Sequence, residues 1–405
     1  VSFSVASFNV KNLIGPEKEF YEFLTYTREE YAWKRDWLSD QLLAMDADIV
    51  GFQEIFEEEA LEEVVAECDA KGAALNDISQ PGIEAPYRRR SIFRRLKYTP
   101  YNLGDGDGGA GGIVYAPNMH DTGEPGRRRP GLAVLSRYPI LDAAVIQDLS
   151  ADPVEMDLPQ LGGGTAGSWR LTNLSRPILR VRVEVEGRTI TLLNCHLKSK
   201  LGEFERDAQG RAPEQNMLFY DPLGRAAGEL RAALRRCGEA LVLRRLILEE
   251  IGQGNPVIAL GDFNDNEHAV SSQIIAGEKP FHNYSWLRRH DATHPDDRYT
   301  KQENEQIQEA VRKVLLVSAE AMFVRRALRD LIYTSSFNGV YESIDQILLS
   351  HHFQQGHEGQ VGELEYLQCF NDHLSDDSFA DAPYNKLASD HGQLVATLRW
   401  GRKDG

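Results

Sequence analysis

Asn9, Glu54, His196, Asp262, Asn264, Asp345 and the pair Asp390-His391 are the residues of this chain whose types could do chemistry together. They are acids, amides and imidazoles, the side chains that move protons and surround oxygen-seeking cations. Each stands where a strand-like run stops or starts. Asn9 closes SFSVASFNV, Gln53-Glu54 follows ADIVGF, and His196 ends TITLLNCHL. Asp262 and Asn264 end VIALGDFN, Asp345 lies just inside SIDQILL, and Asp390-His391 precedes GQLVATL. Polar groups presented by strand ends converge at one edge of a sheet, where a ligand crevice forms. Singly each has a duller explanation, because Asp or Asn after a strand commonly forms a turn and a lone His commonly lies at the surface. Their recurrence at strand after strand is what marks a site.

The elements that must position them follow from hydrophobic patterning. Runs rich in Val, Ile, Leu and Thr at 2–10, 47–52, 132–136, 178–185, 189–197, 255–263, 343–350 and 392–400 read as strands. ILRVRVEV and TITLLNCHL, joined through Gly187, read as an antiparallel hairpin. Helical spacing of apolar residues appears at 28–45, 57–70, 225–251 and 303–333. Strands mixed with helices, with hairpins among the strands, predict an α/β sandwich with mixed or antiparallel sheets. The helix expected at 303–333 is taken to pack on its own domain rather than to form a dimer contact; oligomeric state is not legible.

Three stretches read as insertions: 71–131, 150–177 and 279–340. The first carries the basic cluster Arg88, Arg89, Arg90, Arg94, Arg95 and Lys97, and a glycine tract that lacks the strand-to-helix setting of a nucleotide-binding fingerprint. The 405 residues hold 45 basic and 62 acidic side chains, a net charge of −17. That disfavours a protein that coats nucleic acid through basic groups and suits one that gathers carboxylates around a divalent cation. The scattered Cys68, Cys195, Cys237 and Cys369 form no C-x-x-C pair, so reduced thiols are expected, not a disulfide framework or a Cys-based zinc site. His282, His290, His294, His351, His352 and His357 lack H-E-x-x-H spacing and are expected in solvated loops. No apolar run is long enough to span a membrane. The opening residues lack the basic start and apolar block of a secretory leader, so a cytoplasmic location is the expectation.

FNVKNL, DADIVGFQE, GLAVLSRYPI, NCHLKS, GDFND, SIDQILLS and SDHG occur in an order that resembles the endonuclease/exonuclease/phosphatase superfamily. That group includes deoxyribonucleases, abasic-site endonucleases, inositol polyphosphate phosphatases and neutral sphingomyelinases. GDFND and SDHG are specific in combination, and the motifs run from residue 4 to residue 394. The resemblance implies a four-layer α/β-sandwich of two packed sheets flanked by helices, and one catalytic domain over 1–405 interrupted by the three insertions.

It also implies phosphoryl ester hydrolysis. Asn9, Glu54 and Asp390 offer oxygens suited to Mg²⁺ or Mn²⁺, with Ca²⁺ as the alternative hard cation. Asp262 is then the general base, Asn264 orients the water or a phosphoryl oxygen, and His196 and His391 donate to the phosphoryl oxygens, with Asp345 keeping His391 charged. No carboxylate partner for His196 can be picked out. Lys198 and Arg137 are candidates for substrate contact, although the SRYP element mostly supports the fold in this group. The leading expectation is a metal-dependent phosphodiesterase or phosphomonoesterase on a small or lipid-like ester. The alternative is a DNA or RNA nuclease using the same site, and a silent binding module is disfavoured because the acids, amides and histidines are all present.

Overall fold

The structure is a computed structural model that describes residues 1–21, 23–76, 97–101, 111–290, 294, 296–324, 332–376 and 387–401. In chain order its elements are β1 (Ser2–Leu13), α1 (Arg28–Met45), β2 (Ile49–Ile55), α2 (Glu58–Asn76), β3 (Gly112–Ala116), β4 (Gly131–Ser136) and β5 (Ile140–Asp148). A ribbon of β6 (Val154–Pro159) and β7 (Thr165–Leu171) leads to β8 (Asn173–Val185) and β9 (Arg188–His196). Then come α3 (Pro222–Gly252), β10 (Val257–Asp262), α4 (Val270–Ala276), α5 (Lys301–Val314), β11 (Val317–Ser318) and α6 (Ala319–Val324). A short hairpin, β12 (Ser335–Phe337) and β13 (Val340–Glu342), precedes β14 (Asp345–Leu349), β15 (Gly362–Phe370) and β16 (Gln393–Trp400).

Two six-stranded sheets result, in the orders β15-β16-β1-β2-β4-β3 and β11-β14-β10-β9-β8-β5. Both are mixed: β1 runs parallel to β2 and β9 parallel to β10, while their other pairings are antiparallel. The period-two alternation of strand side chains builds the layers. Phe3, Val5, Ile49, Leu192, Ile258, Leu260, Ile347 and Leu349 point between the sheets into one shared core. Ala6, Phe8, Val50 and Phe52 point the other way, onto Leu38, Leu42, Leu61 and Val65 of α1 and α2. Leu193, Cys195, Val257 and Ala259 likewise face Val242, Leu243, Ile247 and Ile275 of α3 and α4. The order helices, sheet, sheet, helices is the four-layer sandwich expected. All four cysteines are free, and among the described residues no helix is long and apolar enough to cross a membrane.

A polar tie crosses the inter-sheet core. Asn194 on β9 accepts from Gln53 Nε2 of β2 at 2.7 Å and donates through Nδ2 to the carbonyls of Phe52 and Ala133, both at 3.0 Å. The sheets come close here because Gly51 has no side chain. A Cβ at that position would lie 2.3 Å from Leu260 Cδ1 and 3.1 Å from Asn194 Cγ.

The sequence reading departs from the structure in three places. The helix expected over 303–333 is broken: α5 ends at Val314, β11 pairs with β14, and α6 restarts at Ala319. Residues 325–331 of that stretch lie outside the described residues. The insertions are also less separate than expected. The first contributes β3 to a main sheet, the third contributes β11, and the second folds as the β6–β7 ribbon. Finally, His351 and His352 are buried, not solvated, in a short turn after β14, with ring centroids 3.9 Å apart. The arginine cluster from Arg88 to Arg95 falls outside the described residues.

Asn194→Leu keeps the branched shape, though with bulkier methyls, but strips Gln53 and two carbonyls of a buried partner. A loss of about 2–4 kcal/mol in urea unfolding is expected; an unchanged midpoint would show the tie to be dispensable.

Candidate active site

Strand register brings the candidate residues together. Asp262, the last residue of β10, lies opposite His196 on β9 and opposite Asp345 on β14. On the facing sheet, Asn9 of β1 lies opposite Gln53 of β2, and β16 begins beside Ser7. Alternation then fixes where these side chains point. Leu192, Asn194 and His196 share one face, as do Ile258, Leu260 and Asp262, and Val5, Ser7 and Asn9 share the facing one. The site is therefore the end of the inter-sheet core, where the inward series turns from apolar to polar.

Asp262 sits at the centre and is 1% exposed. Its Oδ2 accepts from Asn9 Nδ2 at 3.0 Å and lies 3.2 Å from His196 Nε2. Its Oδ1 accepts from the Asn264 backbone N–H at 2.8 Å. His391 Nδ1 is 2.9 Å from Asp345 Oδ2, while its Nε2 lies 3.8 Å from Asp262 Oδ2, too far for a hydrogen bond. That imidazole nitrogen lies 3.4 Å from Asn9 Nδ2. Ser389 anchors the loop: its Oγ donates to Asn9 O at 2.6 Å and accepts from His391 N at 3.0 Å.

Charge follows from this packing. Burial raises the Asp262 carboxyl, His391 opposes and Asp345 adds to the rise, leaving it at about 7. Burial works against charge on His391, but the Asp345 and Asp262 carboxylates outweigh it and hold the imidazole well above its ordinary value. His196 goes the other way, held well below its ordinary value by burial and then by the positive charges of Arg176 and His391. The two imidazoles are thus pushed in opposite directions, His391 toward the charged form and His196 toward the neutral one, the protonation state that the sequence left open. The carboxylate beside His196 is Asp262 itself.

The second half of the cluster is built on irregular backbone. Glu54 has φ of +66°, which breaks the alternation of β2. Its Oε2 accepts from Asn12 N at 3.0 Å, and its Oε1 lies 3.4 Å from Asn9 Nδ2. Asn9 spends its own carbonyl oxygen on Lys11 N at 3.0 Å. The Asp390 carboxylate is 56% exposed, with Lys11 Nζ 3.6 Å away. Asn264, also left-handed at φ of +54°, donates Nδ2 to Leu197 O at 2.9 Å, bracing the β10 end against β9.

Two expected contacts are not brought in. Arg137 lies beyond Ser136, which pairs with Ile49 at the start of β2, so it sits at the opposite sheet edge from Glu54. There it is buried over the Tyr101 ring and paired with Asp46 at 2.8 Å. Lys198 follows His196 closely but turns its amine back to Leu201 O at 2.7 Å. Two residues were missed. Arg176 donates to Leu197 O at 3.3 Å and bears on His196; a single Arg ahead of a strand carries no sequence signal. Lys34 of α1 is fully buried, donating to Val10 O and Leu387 O, both at 2.9 Å. Burial pulls its ammonium down to about 7. Its place in a helical apolar stripe was the legible hint.

Hard oxygen ligands fit a divalent ion here. Among the described residues Asp262, Asp345 and His391 offer ligand atoms within 4.8 Å of one another. A cationic imidazole cannot ligate, however, and Asp345 is already committed to it. The oxygens of Glu54 and the open Asp390 are the better donors, and the negative charge crowding Asp262 is what a cation would relieve. NMR titration of the histidine Cε1 protons is expected to show His391 keeping its proton to higher pH than His196; parallel titration of both rings would contradict the assignment.

No curated protein matches the sequence. Solved structures similar to it include an endonuclease/exonuclease/phosphatase family protein from Bacteroides thetaiotaomicron, at 14% identity, 99% coverage of both chains and a TM-score of 0.47. The human Nocturnin catalytic domain with bound sulfate anion is 13% identical over 99% of this chain and 94% of that one, with a TM-score of 0.45. A mannosyl-6-phosphatase from Bacteroides thetaiotaomicron is 14% identical over 98% and 99%, with a TM-score of 0.44. A sequence model described as the endonuclease/exonuclease/phosphatase family matches residues 6–391. That span begins in β1 and ends at His391, taking in every strand end that builds the cluster, and on this match the chain belongs to the endonuclease/exonuclease/phosphatase family.

Proposed function

We propose that the chain is one catalytic unit that hydrolyses phosphate esters with Mg²⁺ or Mn²⁺, acting on small or lipid-like diesters or monoesters. The observation that carries this is the position of Asp262, a buried carboxylate poised near neutrality and braced on both oxygens. A group of that kind takes a proton from an attacking water, because a base works best when its pKa lies near the working pH. His391, pushed toward its charged form, donates from Nε2 to a phosphoryl oxygen as charge builds there. Asp345 keeps that ring charged and oriented. His196 and Asn9 hold the Asp262 carboxylate in line, and Asn264 joins them through its backbone. Arg176 supplies positive charge beside His196 for an anionic substrate. Glu54 and Asp390 would hold the divalent ion, which when bound polarises a phosphoryl oxygen and carries charge on the leaving oxygen.

Small esters are favoured over nucleic acid by the net charge of −17, since each phosphate engaged along a polymer asks for basic surface. The test is hydrolysis of bis(4-nitrophenyl) phosphate, 4-nitrophenyl phosphate and supercoiled plasmid, with Mg²⁺, Mn²⁺ or EDTA. Small-ester turnover that needs metal, leaves plasmid intact and falls about 10²–10⁴-fold in Asp262→Ala is expected. Plasmid nicking lost in the same variant would make the protein a nuclease instead.

The ionisation scheme gives a second expectation. Asp345→Asn removes the charge that most favours protonated His391, so the alkaline limb of the kcat/KM profile moves to lower pH. An unmoved limb would assign it to another group.

A further inference from the structure

We propose that Lys11 is a resident monovalent cation of this edge, whose ammonium limits the site to one divalent ion. The inference rests on the metal reading above. It starts from a kink with no obvious use to the fold. Directly after Asn9 and Val10 the chain leaves the extended conformation, with Lys11 at φ of +54° and Asn12 at +60°. Pairing of β1 with β2 is interrupted between Asn9 and Leu13. Neither residue is glycine, and two consecutive side-chain-bearing residues in the left-handed region persist only where surrounding contacts hold them.

Three of those contacts involve the groups that would hold the cation. The Lys11 N–H is bonded to Asn9 Oδ1 at 3.0 Å, and the Asn12 N–H to Glu54 Oε2 at 3.0 Å. The Lys11 side chain is only 13% exposed and sets its ammonium 3.6 Å from Asp390 Oδ2. One turn of backbone thus places a fixed ammonium against Asp390 and a peptide N–H against Glu54. Ammonium and divalent ions compete for the same carboxylate oxygens. A second ion would have to displace an amine that is shielded from water and anchored by its own backbone.

The local charges agree. Asp390 has Lys11 beside it, and Asp262 and Asp345 have His391, with Lys34 buried behind on Val10 O and Leu387 O. These resident cations already offset part of the negative charge that a second divalent ion would need.

The experiment counts Mn²⁺ bound per chain by equilibrium dialysis and electron paramagnetic resonance, needing no turnover. One ion is expected on the wild type and on Lys11→Arg, which keeps the charge, and two on Lys11→Gln, which removes it. Thermal melting in chelator checks that Lys11→Gln folds, and Lys11→Met replaces it if it does not. Two ions on the wild type, or a single ion of unchanged affinity on the neutral variant, would overturn the role given to Lys11. No ion on the wild type would remove the metal reading itself, and the inference with it.

Discussion

Burial of one carboxylate organises this protein. A charged group taken from water into an apolar interior neutralises itself unless donors replace its hydration. Asp262 is 1% exposed, and its replacements come from separate parts of the chain: the side chain of Asn9, the ring of His196 and the backbone of Asn264. The balancing cation, His391, needs its own buried acid, Asp345, to stay charged. Because these groups belong to β1, β9, β10, β14 and the approach to β16, those strands are obliged to end at the same level. The register of the sandwich is the condition for keeping Asp262 inside.

The transition from core to site is graded. One inward step behind Asn9 and His196 lie Ser7 and Asn194, polar but uncharged, both within reach of the Gln53 side chain. A further step gives Val5, Leu192 and Ile258, wholly apolar. Dipoles therefore separate the charged edge from the hydrocarbon interior, and the Gln53–Asn194 bond welds the sheets immediately beneath the reacting groups. Rigidity there holds the charged cluster in place, since the geometry of a side-chain constellation depends on its supporting layer.

What could be read from the sequence follows burial closely. The runs read as strands are the four inner strands of each sheet, most of them buried along nearly their whole length, with the alternating β8 the exception. Those missed are the four edges, β3, β5, β11 and β15, and the two separate hairpins, β6–β7 and β12–β13. Edge strands are half wet or very short, and the alternating polar residues of GELEYLQCF in β15 hid it. Site residues standing on inner strand ends were legible for the same reason. Lys34 and Arg176 were not, because their roles depend on which carbonyls a folded neighbour leaves open. Arg137 misled because its motif supports the opposite edge.

Asn9 and His391 lie 382 residues apart, yet their side-chain nitrogens are 3.4 Å from each other. β16 reaches this position by inserting between β15 and β1, in the interior of its sheet. During synthesis β1 therefore emerges long before β16 and, paired with β2 on one side only, waits with its other edge open. Such long-range pairing is slow and leaves strand edges open meanwhile. Assembly of the polar cluster waits on that pairing, and a ribosome-bound chain short of β16 holds acids and imidazoles that have nothing to converge upon.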